Sequence, residues 1–334
     1  MGQGKTGTTA LQHALHAARA PLAAHGILYP ALARGAVAHH LLIALCEADE
    51  RIPPHVSAPY GGPNEARALA AAALYHLRQE VEQLRPEILV LSSETFIHGL
   101  RAEAKRTLAR LLAPLSQDIQ PVIYVREPAS LYRSRLQERM RATATPLPPA
   151  AQEIRCAIEE AEAAFRPPVV CAYDPAQLSG GDIVSDFANR FLADRIDPAM
   201  LPARRDNPSL SAEAILLLSR FRALVAGDQD WQKEPLSDRL FSQLRKLERA
   251  CPNTATPQLW PGVADAVRRA SMDYLWLRDR YGVRFPDLDY AAIDGAPVAR
   301  ELAAASLADL IEVSEKRYEA LLLKVLVAEM QRAD

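Results

Sequence analysis

Short apolar runs alternate with longer amphipathic stretches along the first half of the chain. The runs Ile27–Tyr29, Ile88–Leu91, Val122–Val125 and Val169–Ala172 have the length and the β-branched content of buried strands. Residues with helical periodicity separate each run from the next, and strands that alternate with helices form parallel sheets. The pattern therefore predicts an α/β fold with a central parallel sheet.

The second half of the chain has a different character. After Asp174 the pattern is that of helices broken by prolines, and no repeat emerges. We predict an α/β core over residues 1–205 and a helical extension packed on it over 206–334. Its Leu-rich faces fit simple packing on the core, and they also fit a lid over a binding site.

Two other breaks are visible in the first half. Pro53-Pro54 and Gly61-Gly62-Pro63 indicate a flexible insertion, and the proline cluster at 146–149 precedes a helix predicted over Ala150–Ala164.

Composition narrows the class of protein. The 334 residues are 49% hydrophobic, with a net charge of −2, which argues against a general nucleic-acid binder. The four cysteines are scattered without metal or redox spacing, so we expect buried free thiols and no metal site. The printed amino terminus does not have the pattern of a signal peptide, a targeting signal upstream of it stays open, and no apolar stretch reaches about 18 residues. We expect a cytoplasmic protein without a membrane span.

The amino-terminal segment has the composition of a phosphate-binding loop. Gly4, Lys5, Thr6, Gly7, Thr8 and Thr9 stand directly before an apolar helix. Glycines permit a tight turn, loop N–H groups and the positive end of the helix dipole attract an anion, and the lysine adds a formal charge. The alternative is an ordinary tight turn.

A second candidate site follows the strand predicted at Val122–Val125. Arg126 lies at the carboxyl end of that strand, Pro128 marks the start of a helix, and Ser134 lies about two turns along it. Ligands bind at this edge of open α/β sheets, and a guanidinium with a hydroxyl suits a phosphate monoester. The alternative is a surface arginine and a helix-face serine without a common ligand.

Together the two segments resemble sulfotransferases that use 3′-phosphoadenylyl sulfate (PAPS). Lys5 to Gln12 reads Lys-Thr-Gly-Thr-Thr-x-Leu-Gln, which is similar to the family's 5′-phosphosulfate loop, and Arg126 with Ser134 is similar to its 3′-phosphate site. Weaker similarity to the bacterial branch extends over about 1–215, at 26–30, 39–42, 88–94 and 207–211.

This resemblance implies a P-loop-like three-layer fold and a transferase with PAPS as donor and no metal. The acceptor would be a hydroxyl or amine of a glycan, lipid or small metabolite. The family has an apolar strand immediately before the loop, whereas the printed sequence starts inside the loop. We therefore expect a central sheet whose first strand is missing from this sequence, either because it lies upstream or because it has been lost.

Sulfuryl transfer also requires a base that takes the proton of the acceptor. Glu94, after the strand at Ile88–Leu91, is the first candidate, with Ser92 and Ser93 beside it, although a glutamate there could equally cap the next helix. In relatives this neighbourhood supplies a histidine or a glutamate.

The rival bases are histidines, and other charged groups can assist the reaction. His39, His40 and His98 are the candidates, with His40 favoured over His39 at the acceptor site. Lys5 would also neutralise charge on the leaving group. Arg204 and Arg205 either close over the donor phosphate or are solvated loop charges.

Two other functions remain open at this stage. Gly4-Lys5-Thr6 supplies the end of a Walker A motif, which suggests a magnesium-dependent phosphotransferase; that function also needs a carboxylate after a strand, for which Ser92-Ser93-Glu94 is a poor substitute. The other is a noncatalytic scaffold that binds anions or a protein. The sequence leaves the acceptor and the oligomeric state open.

Overall fold

The structure, a computed structural model, describes residues 4–202, 210–226, 235–250, 256–303 and 305–333. Its strands are β1 Ile27–Leu28, β2 Ile88–Leu89, β3 Val122–Arg126 and β4 Val169–Tyr173. Its α-helices are, in chain order, α1 Thr8–Ala17, α2 Arg19–Ala24, α3 Pro54–Ser57, α4 Pro63–Leu84, α5 Thr95–His98, α6 Ala102–Leu112, α7 Pro128–Ala142, α8 Arg155–Ala164, α9 Ile183–Phe191, α10 Ala212–Ala226, α11 Pro235–Arg249, α12 Pro261–Ala270, α13 Asp273–Tyr281, α14 Arg300–Ala303, α15 Leu307–Leu310 and α16 Glu315–Ala333. Short 3₁₀ helices occur at His40–Leu45, Asp49–Arg51, Ala58–Tyr60, Ser179–Gly181, Pro198–Met200 and Tyr290–Ala292.

The chain divides into two units that do not follow a single cut in the sequence. The first comprises Met1–Glu127, Ile154–Asp206 and Trp276–Phe285, and the second comprises the remaining segments. The predicted boundary between residues 205 and 206 assigns 128–153 to the first region and 276–285 to the second. In the structure 128–153 belongs to the second unit and 276–285 to the first.

All four predicted strands occur in the first unit, and their pairings are parallel. Ile27 aligns with Ile88 in the β1–β2 pair, and Val122 aligns with Val169 in the β3–β4 pair. The described residues form two separate two-stranded parallel sheets in place of the expected single central sheet. The reason is that no described strand bridges β2 and β3. The protein is thus helix-rich with small parallel sheets.

Two helical layers cover opposite faces of the strands in the first unit. On one side α1 packs against α9, and their core includes Ile27 and Tyr124. On the other side α4, α5 and α6 share a core with Leu28. Alternate strand residues enter different cores because successive side chains point to opposite faces.

The second unit is helical and has its own apolar core. Helices α7, α10, α11, α12, α15 and α16 contribute to it, with Leu244, Val267 and Leu310 fully buried. Prolines begin several helices, as at Pro128, Pro235 and Pro261, since a missing N–H costs nothing in the first turn.

Several sequence expectations differ from the structure in detail. The helix expected over Ala150–Ala164 begins only at Arg155, and the segment expected as a flexible insertion forms α3 and a 3₁₀ turn anchored by buried Val56. Of the segments with weaker family similarity, 39–42 leads into a 3₁₀ helix over His40–Leu45. In the segment 207–211, residues 207–209 lie outside the described residues, and α10 follows at Ala212.

The cysteines are less uniformly buried than expected. Cys171 is buried, Cys46 is half-buried and Cys156 is exposed. Burial raises the pKa of the Cys171 thiol to about 11, so this thiol is protonated at neutral pH. Cys251 lies outside the described residues.

A buried carboxylate ties α9 to β3. Asp186, which is 0% exposed, accepts hydrogen bonds from the Tyr124 hydroxyl at 2.7 Å, the Ser179 N–H at 3.0 Å and the Arg190 Nε at 2.8 Å. Burial by itself would raise the pKa of Asp186, but these three donors together lower it. The strand and the helix are therefore joined by a polar contact inside an apolar core.

We predict that Asp186→Ala lowers the free energy of unfolding by about 3 kcal/mol, because buried donors lose their acceptor. Tyr124→Phe is the matched variant, and it should cost only about 1 kcal/mol because Asp186 keeps two donors. Urea unfolding measures both values. Equal losses in the two variants would contradict a network centred on the carboxylate.

Candidate functional site

The loop that enters α1 has the backbone of an anion-binding turn. Lys5 and Gly7 both lie in the left-handed region, with φ of +73° and +72°. Gly7 is the N-cap of α1, no side chain caps the helix, and its first turn holds no acidic residue. Glycine has no side chain with which to bond the first N–H groups, so at the N-cap itself the positive end of the helix dipole is not compensated.

Glycine is required at position 7 for a second reason. A Cβ at Gly7 would lie 2.9 Å from Ile183 Cγ2 and 3.1 Å from Tyr173 Cε2. The loop is thus packed tightly against α9 and the end of β4.

The loop side chains are not equally accessible. Thr6 and Thr8 are buried and line an apolar cavity of about 460 Å³, whereas Lys5 is half-buried and Thr9 is exposed. Of the residues predicted to bind phosphate, Thr6 and Thr8 are therefore enclosed. Lys5, Thr9 and the backbone of the turn are nearer to solvent.

Arg126 lies against this loop. It ends β3, and its Nη1 donates a hydrogen bond to the Lys5 carbonyl oxygen at 3.0 Å. Its guanidinium also lies over the ring of Tyr173, 5.6 Å from the centroid. The Arg126 side chain is thus in contact with the backbone of a loop that lies 121 positions earlier in the chain, and the shared role predicted for Lys5 and Arg126 stays a prediction.

Ser134 belongs to a different part of the molecule. It is half-buried on α7, which is in the second unit, whereas Lys5 and Arg126 are in the first. Its predicted partnership with Arg126 remains a prediction.

The segment after β2 is fixed by a buried histidine. His39 Nδ1 accepts a hydrogen bond from the Ser92 N–H at 2.8 Å, and its Nε2 lies 3.0 Å from the Pro30 carbonyl, to which it must therefore donate. Gln12 of α1 donates to Ser92 Oγ at 3.3 Å. Because both nitrogens of His39 are engaged in the interior, this rival base is a structural residue.

His40 lies in a small polar cluster beside the same segment. Its Nδ1 is 2.6 Å from Ser93 Oγ and 3.2 Å from Thr95 Oγ1, and His55 Nε2 is 3.3 Å from the same Thr95 oxygen. Burial, and then the neighbouring His55, lower the pKa of His40 from 6.5 to about 4. The imidazole is therefore neutral at pH 7.

Glu94 stands between the two hydroxyl residues of this cluster. Its side chain is exposed, and its backbone begins α5 without a side-chain capping bond. The structural alternative in which Glu94 caps that helix therefore has no hydrogen bond to support it. His98, at the far end of α5, is also exposed. Arg204 and Arg205 lie outside the described residues.

Two residues near the site did not emerge from the sequence. Tyr173 ends β4 just as Arg126 ends β3, so the strand-end rule that selected Arg126 would also have selected it. His55 lies in the proline-flanked segment, and only the fold brings it to Thr95.

The described residues contain no further feature that identifies a metal site or a membrane span. No cluster of three or more His, Cys, Asp or Glu side chains suited to a metal occurs in the described residues, and none of their helices is long and apolar enough to cross a membrane. Comparisons with protein-family models, curated proteins and solved structures give no match.

We predict an acid-sensitive step in stability that originates at His39. Burial is the main cause that lowers the pKa of His39 from 6.5 to about 4, so between these values the unfolded chain binds a proton that the folded chain does not. The free energy of unfolding should fall as the pH drops through this window, by about 3 kcal/mol in total for His39.

The measurement is urea unfolding from pH 4 to pH 7.5. His39→Asn, which keeps an acceptor for the Ser92 N–H but does not titrate, should show a shallower pH dependence; His40 retains part of the slope. His76→Asn, on the exposed face of α4, is the control and should leave the profile unchanged. An unchanged slope in His39→Asn would contradict the assignment.

Proposed function

We propose that this protein is a PAPS-dependent sulfotransferase with a P-loop-like fold. The observation that carries the proposal is the contact between the Arg126 guanidinium and the Lys5 backbone, which unites the two segments whose sequences resemble the donor site. Because the two segments are in contact, a single anionic ligand that binds both is favoured over two segments with unrelated roles.

The loop fits the 5′ end of such a donor. Lys5 and the uncapped first turn of α1 offer a formal charge and N–H groups to a phosphosulfate. An in-line displacement forms a bond from the acceptor oxygen or nitrogen to sulfur and breaks the bond from sulfur to the bridging oxygen. The electron pair leaves with 3′-phosphoadenosine 5′-phosphate, and Lys5 stabilises the charge that develops there.

Arg126 is assigned to the 3′-phosphate, because a guanidinium presents N–H donors in a planar fork that matches phosphate oxygens. Arg126 then has two functions: it shapes the loop through its bond to the Lys5 carbonyl, and it binds the donor.

Glu94 is assigned as the base that receives the acceptor proton. It is exposed at the start of α5, where a glycan, lipid or small-metabolite acceptor can reach it. His40 belongs to the adjoining polar cluster, and because its pKa is about 4 it is a weaker base than an ordinary histidine.

The donor assignment is tested by calorimetry with 3′-phosphoadenosine 5′-phosphate, 5′-AMP and ATP with magnesium. We expect metal-independent preference for the first nucleotide. Lys5→Ala should weaken the binding of both 3′-phosphoadenosine 5′-phosphate and 5′-AMP about tenfold or more, and Arg126→Ala should weaken chiefly the binding of the former.

Arg106→Ala, which removes an exposed arginine on α6, is the control and should bind normally. Preference for ATP with magnesium would indicate a phosphotransferase, and failure of all three nucleotides would indicate a noncatalytic anion or protein binder. Equal weakening of 3′-phosphoadenosine 5′-phosphate and 5′-AMP by Arg126→Ala would restrict that residue to shaping the loop.

The base assignment has its own test in turnover. Glu94→Gln should lower kcat about 100-fold or more while the dissociation constant of the donor stays the same, since the amide cannot take a proton. His40→Gln is the comparison and should change kcat much less. If His40→Gln lowered kcat more than Glu94→Gln, the base would be His40 and not Glu94.

A further inference from the structure

Helix α16 is apolar on two opposite sides. On its inner side Leu321 and Val325 are buried in the core of the second unit, and α10 and α11 pack against the helix. Gln243 of α11 also donates to the Val325 carbonyl oxygen at 3.3 Å. A helix that is apolar all round is normally buried all round. The outer side of α16, however, is exposed.

The exposed apolar residues on this outer side form one stripe along the helix. Leu323 is 62% exposed, Val327 is 52% exposed and Met330 is 72% exposed. Ala320 is exposed one turn earlier. These four residues, which we call the outer stripe, alternate between spacings of three and four positions, as the a and d positions of a heptad repeat do.

The heptad register agrees with the way α16 is packed. With Ala320 and Val327 at a and with Leu323 and Met330 at d, the buried residues fall on the far side of the helix. Leu321 is then at b and Val325 at f, positions that face away from the seam of a coiled coil. A β-branched residue at a with leucine at d favours two parallel strands. The register therefore suits a second copy of the same helix.

Two exposed charged residues border the outer stripe. Glu319 is at g and Lys324 is at the following e position. In a parallel pair the g residue of one helix lies beside the next e residue of the other, so Glu319 of each copy meets Lys324 of the second copy. In an antiparallel pair e positions face each other, and the two lysines would repel. Within one helix the two residues are five positions apart and do not face each other.

The inner side of α16 also reduces the cost of association. A free helix with two heptads would be marginal in water, because it must order its backbone before it can pair. In this protein the contacts of Leu321, Val325 and Gln243 already hold the helix in place. A surface that is ordered beforehand loses less entropy on binding. A lipid surface could cover the same apolar side chains, but it would not require the opposite charges at g and e.

We propose that the outer stripe of α16 is the interface of a homodimer, in which the α16 helices of two copies run parallel as a short two-stranded coiled coil. Leu326, which is exposed at the g position beside Val327, extends the apolar contact at its edge. The proposal is independent of the donor and of the reaction.

The location of the interface is tested by sedimentation equilibrium of the full chain. We expect the protein to be mostly dimeric at about 100 µM. Leu323→Glu should weaken the dimer about tenfold or more, because it places two carboxylates opposite each other in the seam. Leu84→Glu on α4 is the matched control, since Leu84 is 56% exposed and lies outside the stripe, and it should leave the dimer unchanged.

The orientation of the helices is tested by charge reversal. Glu319→Lys should weaken the dimer about threefold or more, because it brings a second lysine beside Lys324 of the other copy. Combining it with Lys324→Glu restores opposite charges and should return the dissociation constant to that of the unmodified protein. These exposed substitutions leave the inner side of α16 intact, and circular dichroism checks that each variant keeps its helix content.

Three results would overturn the proposal. They are a monomer at about 100 µM, equal effects of Leu323→Glu and Leu84→Glu, and a double charge variant that dimerises no better than Glu319→Lys. A monomer that binds vesicles of phosphatidylcholine and phosphatidylglycerol through Leu323 would identify the stripe as a lipid-binding surface and would also overturn it. Nucleotide binding in the Lys5 and Arg126 variants has no bearing on these outcomes.

Discussion

The hydrogen bond from Arg126 to the Lys5 carbonyl is the contact on which the candidate site depends. It joins the last residue of β3 to the loop that enters α1, 121 positions earlier, and thereby fixes where the guanidinium and the positive end of that helix meet. The acceptor in this bond is a backbone oxygen without a formal charge, so the bond by itself neutralises no cation.

A second set of contacts connects α1 to the segment that follows β2. Gln12 donates to Ser92 Oγ, and the Ser92 N–H donates to His39. Together with the bond from Arg126 to the loop before α1, these contacts connect this helix to the ends of both small sheets. In a continuous sheet the backbone ladder would hold these ends together. Here, across the described residues, β2 and β3 share no ladder, and side chains around one helix and its loop supply the connection.

The sequence predicts the local features well and the long-range ones poorly. Val122–Arg126 forms a strand because a β-branched run has a strong local preference, and Pro128 begins a helix because its φ is already helical. The hydrogen-bond partners of His39 and Asp186 could not be predicted in this way, since the sequence does not show whether a titratable residue is solvated or buried. Ser92 lies 53 positions from His39, and Tyr124 lies 62 positions from Asp186, distances over which periodicity carries no information. Glu94 and Ser134 are intermediate cases, placed correctly on their elements by pattern while their functions stay predictions.

The loop and the cavity share Thr6 and Thr8, so the turn that presents Lys5 also forms part of a wall inside the first unit. Both threonines are buried, and Gly7 between them is packed against Ile183 and Tyr173. The turn is therefore held from its inner side by contacts that need no anion. A loop that is ordered before its ligand arrives loses less conformational entropy on binding, so this packing favours the affinity of the turn for the proposed donor.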